Sequence, residues 1–204
     1  VYAIESGERE RHVARLGEEA QTIASAIERR GDAASAYLQA GAALFVTRDD
    51  LSREAFAGFV DSLRLESDYF GAEGIGWARA LAPADAPAFK QEIIAAGTTR
   101  FSITPEPPAG AARIVPVTFL HPATERNRRA LGYDMYSEPV RRAAMDEAER
   151  SVRPTASGRI VLVQEGRSKA PGFLIYMPVY DSTNPGRSLR GFIYSPFNAA
   201  DFLS

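Results

Sequence analysis

The chain has 204 residues, 45% of them hydrophobic and 25% charged, with 24 Lys and Arg against 26 Asp and Glu for a formal charge of −2. A near-neutral chain lacks the electrostatic footprint of a protein that works by neutralising phosphates, so nucleic acid is not an expected partner. The absence of cysteine excludes disulfides, thiolate nucleophiles, Cys-ligated zinc and iron–sulfur clusters, and His12 and His121 alone leave little for a metal site, so neither metal nor cofactor is expected.

From Val1 to about Arg30 there is no proline, and Val13, Leu16, Ala20, Ile23 and Ile27 recur at alternating steps of three and four. This spacing predicts a long helix with an a/d seam, which serves either as a dimer interface or as the face that packs on the helix's own domain. Gly31-Asp32 is expected to interrupt it, with a second helix through Tyr37, Leu38, Ala42 and Phe45 to about Thr47. Ser52 is the expected N-cap of the next helix, whose Phe56, Phe59, Val60 and Leu63 share one face. After a loop from Glu66 to Glu73, Gly74-Ile-Gly-Trp-Ala-Arg-Ala-Leu81 reads as a strand, with Trp77 as a core anchor. Asp85 and Pro87 open a helix carrying Phe89, Ile93 and Ile94 that Gly97 stops, and Thr99 to Thr104 reads as a strand.

The prolines of Pro105-Glu-Pro-Pro-Ala-Gly110 make a loop. Arg113 to Leu120 is β-rich, and its Pro116 requires an edge or irregular strand. Gly132 to Tyr136 is short and extended, and Ser137 is the expected cap of a helix with Pro139 in its first turn and Val140, Ala144, Met145 and Ala148 along one side. Ile160 to Val163, Phe173 to Tyr180 and Leu189 to Pro196 are strands separated by polar, glycine-containing turns. Helices first and strands later, with one helix between them, specify an α+β fold with antiparallel sheet.

Nucleophile-elbow, phosphate-loop and zincin motifs are all missing, and Gly74-Ile-Gly76 lacks the third glycine of a dinucleotide turn. His121 and Asp134 form a conceivable acid–base pair whose geometry nothing in the sequence supplies. Arg126, Arg128 and Arg129 can collect an anion or simply lie in solvent, whereas Arg141 and Arg142 open a helix, where the macrodipole disfavours cations and calls for acidic partners. Asp134, between Tyr133 and Met135, would face opposite to both in a strand. Such a carboxylate either fixes a polar ligand in an apolar pocket or forms a structural salt bridge to Arg128, Arg129, Arg141 or Arg142. No apolar stretch approaches the roughly 20 residues needed to cross a bilayer, Val1 to Glu10 lack a signal-peptide layout, and the start at Val1 reads as an excised piece.

Read in order, the motifs resemble the CHASE domain, the extracytoplasmic sensor of plant cytokinin-receptor kinases and of many bacterial histidine kinases and diguanylate cyclases. The resemblance runs through Phe56-x-x-Phe59-Val60-x-x-Leu63, Gly74-Ile-Gly-Trp77, Val115-Pro-Val-x-Phe119, Ala130-Leu-Gly-Tyr-Asp-Met-x-Ser-Glu-Pro139, Arg142-x-Ala-Met145, Leu162-Val-Gln-Glu165 and Gly172-Phe-x-Ile-Tyr-Met-Pro-Val-Tyr180.

The resemblance implies a long N-terminal helix with two stacked PAS-like antiparallel subdomains. Residues 1–50 would form the stalk and second helix, 51–180 the core with the membrane-distal ligand subdomain, and 181–204 the last strand of the membrane-proximal one. It implies a non-enzymatic, periplasmic domain of an inner-membrane receptor, homodimeric through its N-terminal helix and anchored in the membrane on both sides. The kinase or cyclase output would lie elsewhere in the parent chain. In the cytokinin-binding members the aspartate at the position of Asp134 binds the adenine ring, and main-chain groups near Ala156 and Ser157 assist. The implied ligand site therefore comprises Asp134, Tyr133 and Met135, with Val117, Phe119, Leu162, Phe173, Ile175 and Met177 as walls. Its ligand would be a small molecule, purine-like or otherwise amine-bearing, or a peptide or small acid held by the arginines. The alternative is a dimerisation or protein-partner module with a collapsed pocket.

Overall fold

The computed structural model describes residues 2–47, 51–63, 65, 69, 71–98, 100–165, 170–181 and 188–204. Helix α1 spans Tyr2–Thr47 without interruption, so the break expected at Gly31-Asp32 does not occur. An isolated glycine costs a helix about 1 kcal/mol. Burial of Ala34, Leu38, Ala42 and Phe45, spaced along one face against the sheet, outweighs that cost. Of the N-terminal seam, Ile27 packs on this core, Leu16, Ala20 and Ile23 are exposed, and the side chain of Val13 lies outside the described residues.

Ser52 caps α2 (Arg53–Ser62) as expected, its hydroxyl accepting from the Ala55 amide at 3.2 Å. Next come β1 (Ile75–Arg79) and, after a 3-10 turn at Pro83–Asp85, α3 (Ala86–Ala95). They are followed by β2 (Val117–His121), the short α4 (Glu125–Arg128) and α5 (Pro139–Ser151). The chain ends in β3 (Thr155–Ala156), β4 (Ile160–Val161), β5 (Pro171–Tyr180), β6 (Leu189–Asn198) and α6 (Ala199–Leu203). The strands form one antiparallel sheet in the order β2-β1-β6-β5-β3, with β4 also on β5. The expected α+β class with a long N-terminal helix is the observed one, and the described residues hold one sheet where two stacked sheets were expected.

Three local expectations are corrected. Residues 100–103 join no ladder, and Thr99 lies outside the described residues. Instead Phe101 packs edge-on to Phe89 and Ile103 joins the same small cluster, so the alternation serves α3. Residues 113–116 reach the sheet region only through isolated bridges, Ile114 to Leu81 and Pro116 to Asp134, and the ladder begins after the proline, on an edge strand. Glu138 replaces Ser137 as the cap of α5, because its carboxylate reaches both the Val140 and Arg141 amides, at 2.9 and 3.0 Å. The turn between β5 and β6 and parts of the loop from Glu66 to Glu73 fall outside the described residues.

The sheet separates two apolar clusters. On one face Ile175, Val179, Ile193 and Phe197 pack against α1, and Phe45 stacks on Trp77 with ring centroids 4.1 Å apart. Gly41 lets the helix approach closely, since a Cβ there would run into Ile193 Cδ1. Arg190 on β6 donates to the Phe45 carbonyl at 2.6 Å, satisfying a backbone acceptor in the last turn of α1. On the other face Leu174, Tyr176, Phe192 and Tyr194 pack against Ala144, Met145 and Ala148 of α5. Phe45→Ala is expected to lower the unfolding free energy by about 3–5 kcal/mol in urea denaturation, whereas Glu18→Ala, exposed on the same helix, should change it by less than about 0.5 kcal/mol.

Candidate functional site

The α5 face of the sheet surrounds a cavity of about 10 Å³, lined by Val117, Ala130, Tyr133, Met135, Arg141, Leu162, Val163, Gln164, Leu174 and Tyr194. Local sequence explains how these groups converge. Gly132, at φ +80°, turns the chain where any Cβ would strike the Ser102 carbonyl oxygen. Asp134 then ends the extended step by capping the 3-10 turn Met135–Ser137, and Pro139 starts α5 so that Arg141 points back under Tyr133. On β1, Gly76 leaves the space in which the Tyr194 ring lies, so the glycine pair there serves close packing and makes no dinucleotide turn.

Asp134 is 2% exposed and does not pair with an arginine. Its Oδ1 accepts from the Val115 amide at 2.7 Å and the Tyr136 amide at 3.0 Å, while its own amide donates to the Thr104 carbonyl at 2.7 Å. The residue thus ties together the segments before β2, after Gly132 and at Thr104. Burial pushes its carboxyl above the ordinary value, and the two backbone donors partly offset that shift. The four candidate salt-bridge partners are engaged elsewhere. Arg128 donates to the Thr124 carbonyl, Arg129 lies near Glu125, Arg142 donates to the Tyr136 carbonyl, and Arg141 holds Tyr133 and Val161. Asp134 does not face opposite to Met135 either, since both are buried where the strand-like alternation gives way to the 3-10 turn.

Arg141 is the unexpected member of the site. It is 4% exposed, and Nη1 donates to the Tyr133 hydroxyl at 3.0 Å, Nη2 donates to the Val161 carbonyl at 2.9 Å, and the guanidinium lies 5.0 Å from the centre of the Tyr133 ring. Its Nε and the Tyr194 hydroxyl are both buried without a hydrogen-bond partner. Burial pushes the Tyr194 phenol strongly up, so it remains a protonated donor.

Of the expected site residues, Val117, Tyr133, Met135 and Leu162 line this cavity, whereas Asp134 is not part of its lining. Phe173, Ile175 and Met177 pack instead toward α1, because side chains alternate along β5 and this face carries Leu174 and Tyr176. Phe119 is separated from Val117 by a β-bulge opposite Trp77 and Ala78, which puts the two on opposite faces despite their spacing. Ala156 is exposed on the edge strand, and the Ser157 amide and hydroxyl are both engaged with Leu174 of β5. Leu174, Tyr194 and Gln164 were not singled out from sequence; Arg141 carried a signal, as a cation where the helix dipole disfavours one.

A second, wider concavity of about 520 Å³ lies between α2, β2 and residues 97–102, with Arg53, Arg100 and Arg128 around Phe56, Phe119 and Leu131. Arg53 donates to the Thr98 hydroxyl there, and its guanidinium lies 5.7 Å from the centre of the Phe119 ring. His121 at its rim pairs with Asp61 at 2.7 Å, not with Asp134, so the conceivable acid–base pair is not assembled. Arg126 of the basic loop is paired with Glu73 at 2.7 Å. No group of three or more metal-ligating side chains occurs among the described residues. A family model described as the CHASE domain matches residues 49–204. No curated protein matches the chain.

Gly132→Ala should destabilise the fold by about 2–3 kcal/mol, measured by urea unfolding, whereas Gly97→Ala, at φ +96° in open space, should cost less. Asp134→Asn tests the buried carboxylate. A carboxyl raised in the folded state adds stability as pH falls through the interval between its folded and unfolded values and loses it as pH rises again. The asparagine variant should therefore compare best with the parent near about pH 7 and lose ground toward about pH 4. An advantage that grows on acidification would mean that the backbone donors outweigh burial.

Proposed function

Since the chain belongs to the CHASE domain family, whose members are extracytoplasmic sensors of membrane signalling receptors, we propose that it is a ligand-sensing domain whose small-molecule site is the cavity between the sheet and α5. The observation that carries this reading is the pair of buried, unpartnered polar atoms, Arg141 Nε and Tyr194 Oη, at one cavity. Buried polar groups are ordinarily hydrogen-bonded, and an exception marks a place where another molecule completes the set. The parent receptor would be a histidine kinase or a diguanylate cyclase, anchored in the membrane on both sides of this domain and facing the periplasm. No helix among the described residues is long and apolar enough to cross a membrane.

The sheet supplies a route from ligand to output. Leu174 and Tyr194 line the cavity, while their neighbours Ile175 and Ile193 pack toward α1 on the opposite face. A ligand that displaces β5 or β6 therefore repositions α1, to the extent of its differential affinity for the two arrangements. Leu16 and Ile23, 50% and 58% exposed on the N-terminal seam, support a homodimer through this helix. The small volume of the cavity favours the second reading, a dimerisation or partner-binding module without a small ligand.

A thermal-shift screen against purines, cytokinins, amino acids and small organic acids separates the two. A ligand at 100 times its dissociation constant should add about 2.7 kcal/mol of stability, and Ala130→Val, which narrows the cavity, should abolish that gain. Silence across the panel, or binding unaffected by Ala130→Val, would count against the cavity as the sensory site. Sedimentation equilibrium of the chain should give a dimer that Ile23→Glu converts to a folded monomer, and a monomeric parent chain would remove the helix interface.

A further inference from the structure

The cavity holds a cation without a counter-ion. Among the described residues no carboxylate pairs with Arg141; its partners are the Tyr133 hydroxyl and the Val161 carbonyl, both neutral. Glu138, the nearest acid on its own helix, directs one carboxylate oxygen to the Val140 amide and the other to the Arg141 amide. Burying a charge in apolar surroundings is costly unless an opposite charge or a full set of hydrogen bonds compensates it, and here Nε has no partner at all. The nearby Tyr194 hydroxyl, also unpartnered, is a second donor, and Oδ1 of Asp134 already accepts two backbone amides. The unmet capacity at this site is thus donating capacity with a positive charge.

We infer that the site recognises a carboxylate, with Arg141 and Tyr194 as its donors, and that the ligand is a small monocarboxylic acid whose short apolar tail rests on Val117, Met135, Leu162 and Leu174. This rests on the sensor reading above and names the ligand class for the same cavity. One buried guanidinium matches one negative charge, and planar guanidinium suits carboxylate geometry. Apart from Tyr133 and Gln164, the remainder of the lining is apolar, matches a hydrocarbon chain and offers no cation to a second negative charge. A polyanion fits better in the open concavity around Arg53, Arg100 and Arg128, where Arg100 and Arg128 stay exposed to water. At about 10 Å³ the cavity holds no more than a water molecule, so the acid enters by displacing a wall. Met135 is the adaptable one, an unbranched thioether whose sulfur lies 3.7 Å from the Tyr176 hydroxyl of β5.

The test is calorimetric titration and thermal shift of the chain with acetate, propionate, butyrate and valerate at constant ionic strength, each beside its primary amide. At least one acid should bind while its amide does not, and Arg141→Gln should weaken that binding by about tenfold or more, the scale of a hydrogen bond to a charged group. Tyr194→Phe guards against a misfolded arginine variant. It removes a hydroxyl that has no partner, so the unliganded chain should unfold at the same temperature or higher, while the acid binds several-fold more weakly. Amides that bind as well as acids, acid binding unchanged in both variants, or acid binding lost in Arg128→Gln instead would each overturn the inference. A purine whose binding is lost in Ala130→Val but kept in Arg141→Gln would refute the carboxylate and leave the sensor reading standing. Silence of both panels would remove both.

Discussion

From Gly172 opposite Asn198 to Tyr180 opposite Leu189, β5 and β6 are paired through their whole length, and this pairing sets the two faces on which everything else packs. Side chains that leave one face reach α1, and those that leave the other reach α5 and the cavity. A slip of one residue would turn one strand over relative to the other, sending either Leu174 and Tyr176 of β5 or Tyr194 of β6 toward the long helix. The pairing also joins the two faces, because adjacent residues of one strand touch the cavity and α1. Gly41 and the stacked pair Phe45 and Trp77 hold that helix close enough for small displacements of the strands to be felt.

Two buried ionisable groups close together in sequence have opposite fates. Asp134 is surrounded by backbone amides, which hold its oxygen and make it a clamp on three loop segments. Arg141 has one face on the Tyr133 ring and keeps Nε unsatisfied. Low dielectric makes a satisfied polar group an organiser of the chain and an unsatisfied one costly. The positive, donating character of the cavity therefore follows from which of the two charges the backbone can reach: amide donors lie beside the carboxylate, while the guanidinium, itself a donor, finds only one carbonyl.

Much of the scaffold was legible in the sequence. The α+β class, the cap at Ser52, the edge character imposed by Pro116, Trp77 in the core and the C-terminal strands all follow from local rules of hydrogen bonding and side-chain spacing, and the residue pattern carried the family. Local rules failed where distant packing competed with them. Gly31 reads as a helix break until the burial of Ala34 and Leu38 is known, and the alternation at Phe101 and Ile103 reads as a strand until α3 claims it.

The site divides along the same line. Tyr133, Met135, Val117 and Leu162 line one cavity, whereas Asp134, between the first two, is held by backbone amides and is not part of the lining. Phe119, Phe173, Ile175 and Met177 looked equivalent to the residues that line the cavity because they too are hydrophobic. A bulge and a strand register, set between residues far apart in the chain, put them on the other side. The amino-acid sequence by itself determined the α+β class, the cap at Ser52 and which residues are apolar, because those depend on neighbours within a few positions. Only the tertiary structure decided which face each strand residue occupies and which buried charge lacks a partner, because both depend on pairings between residues far apart in the chain.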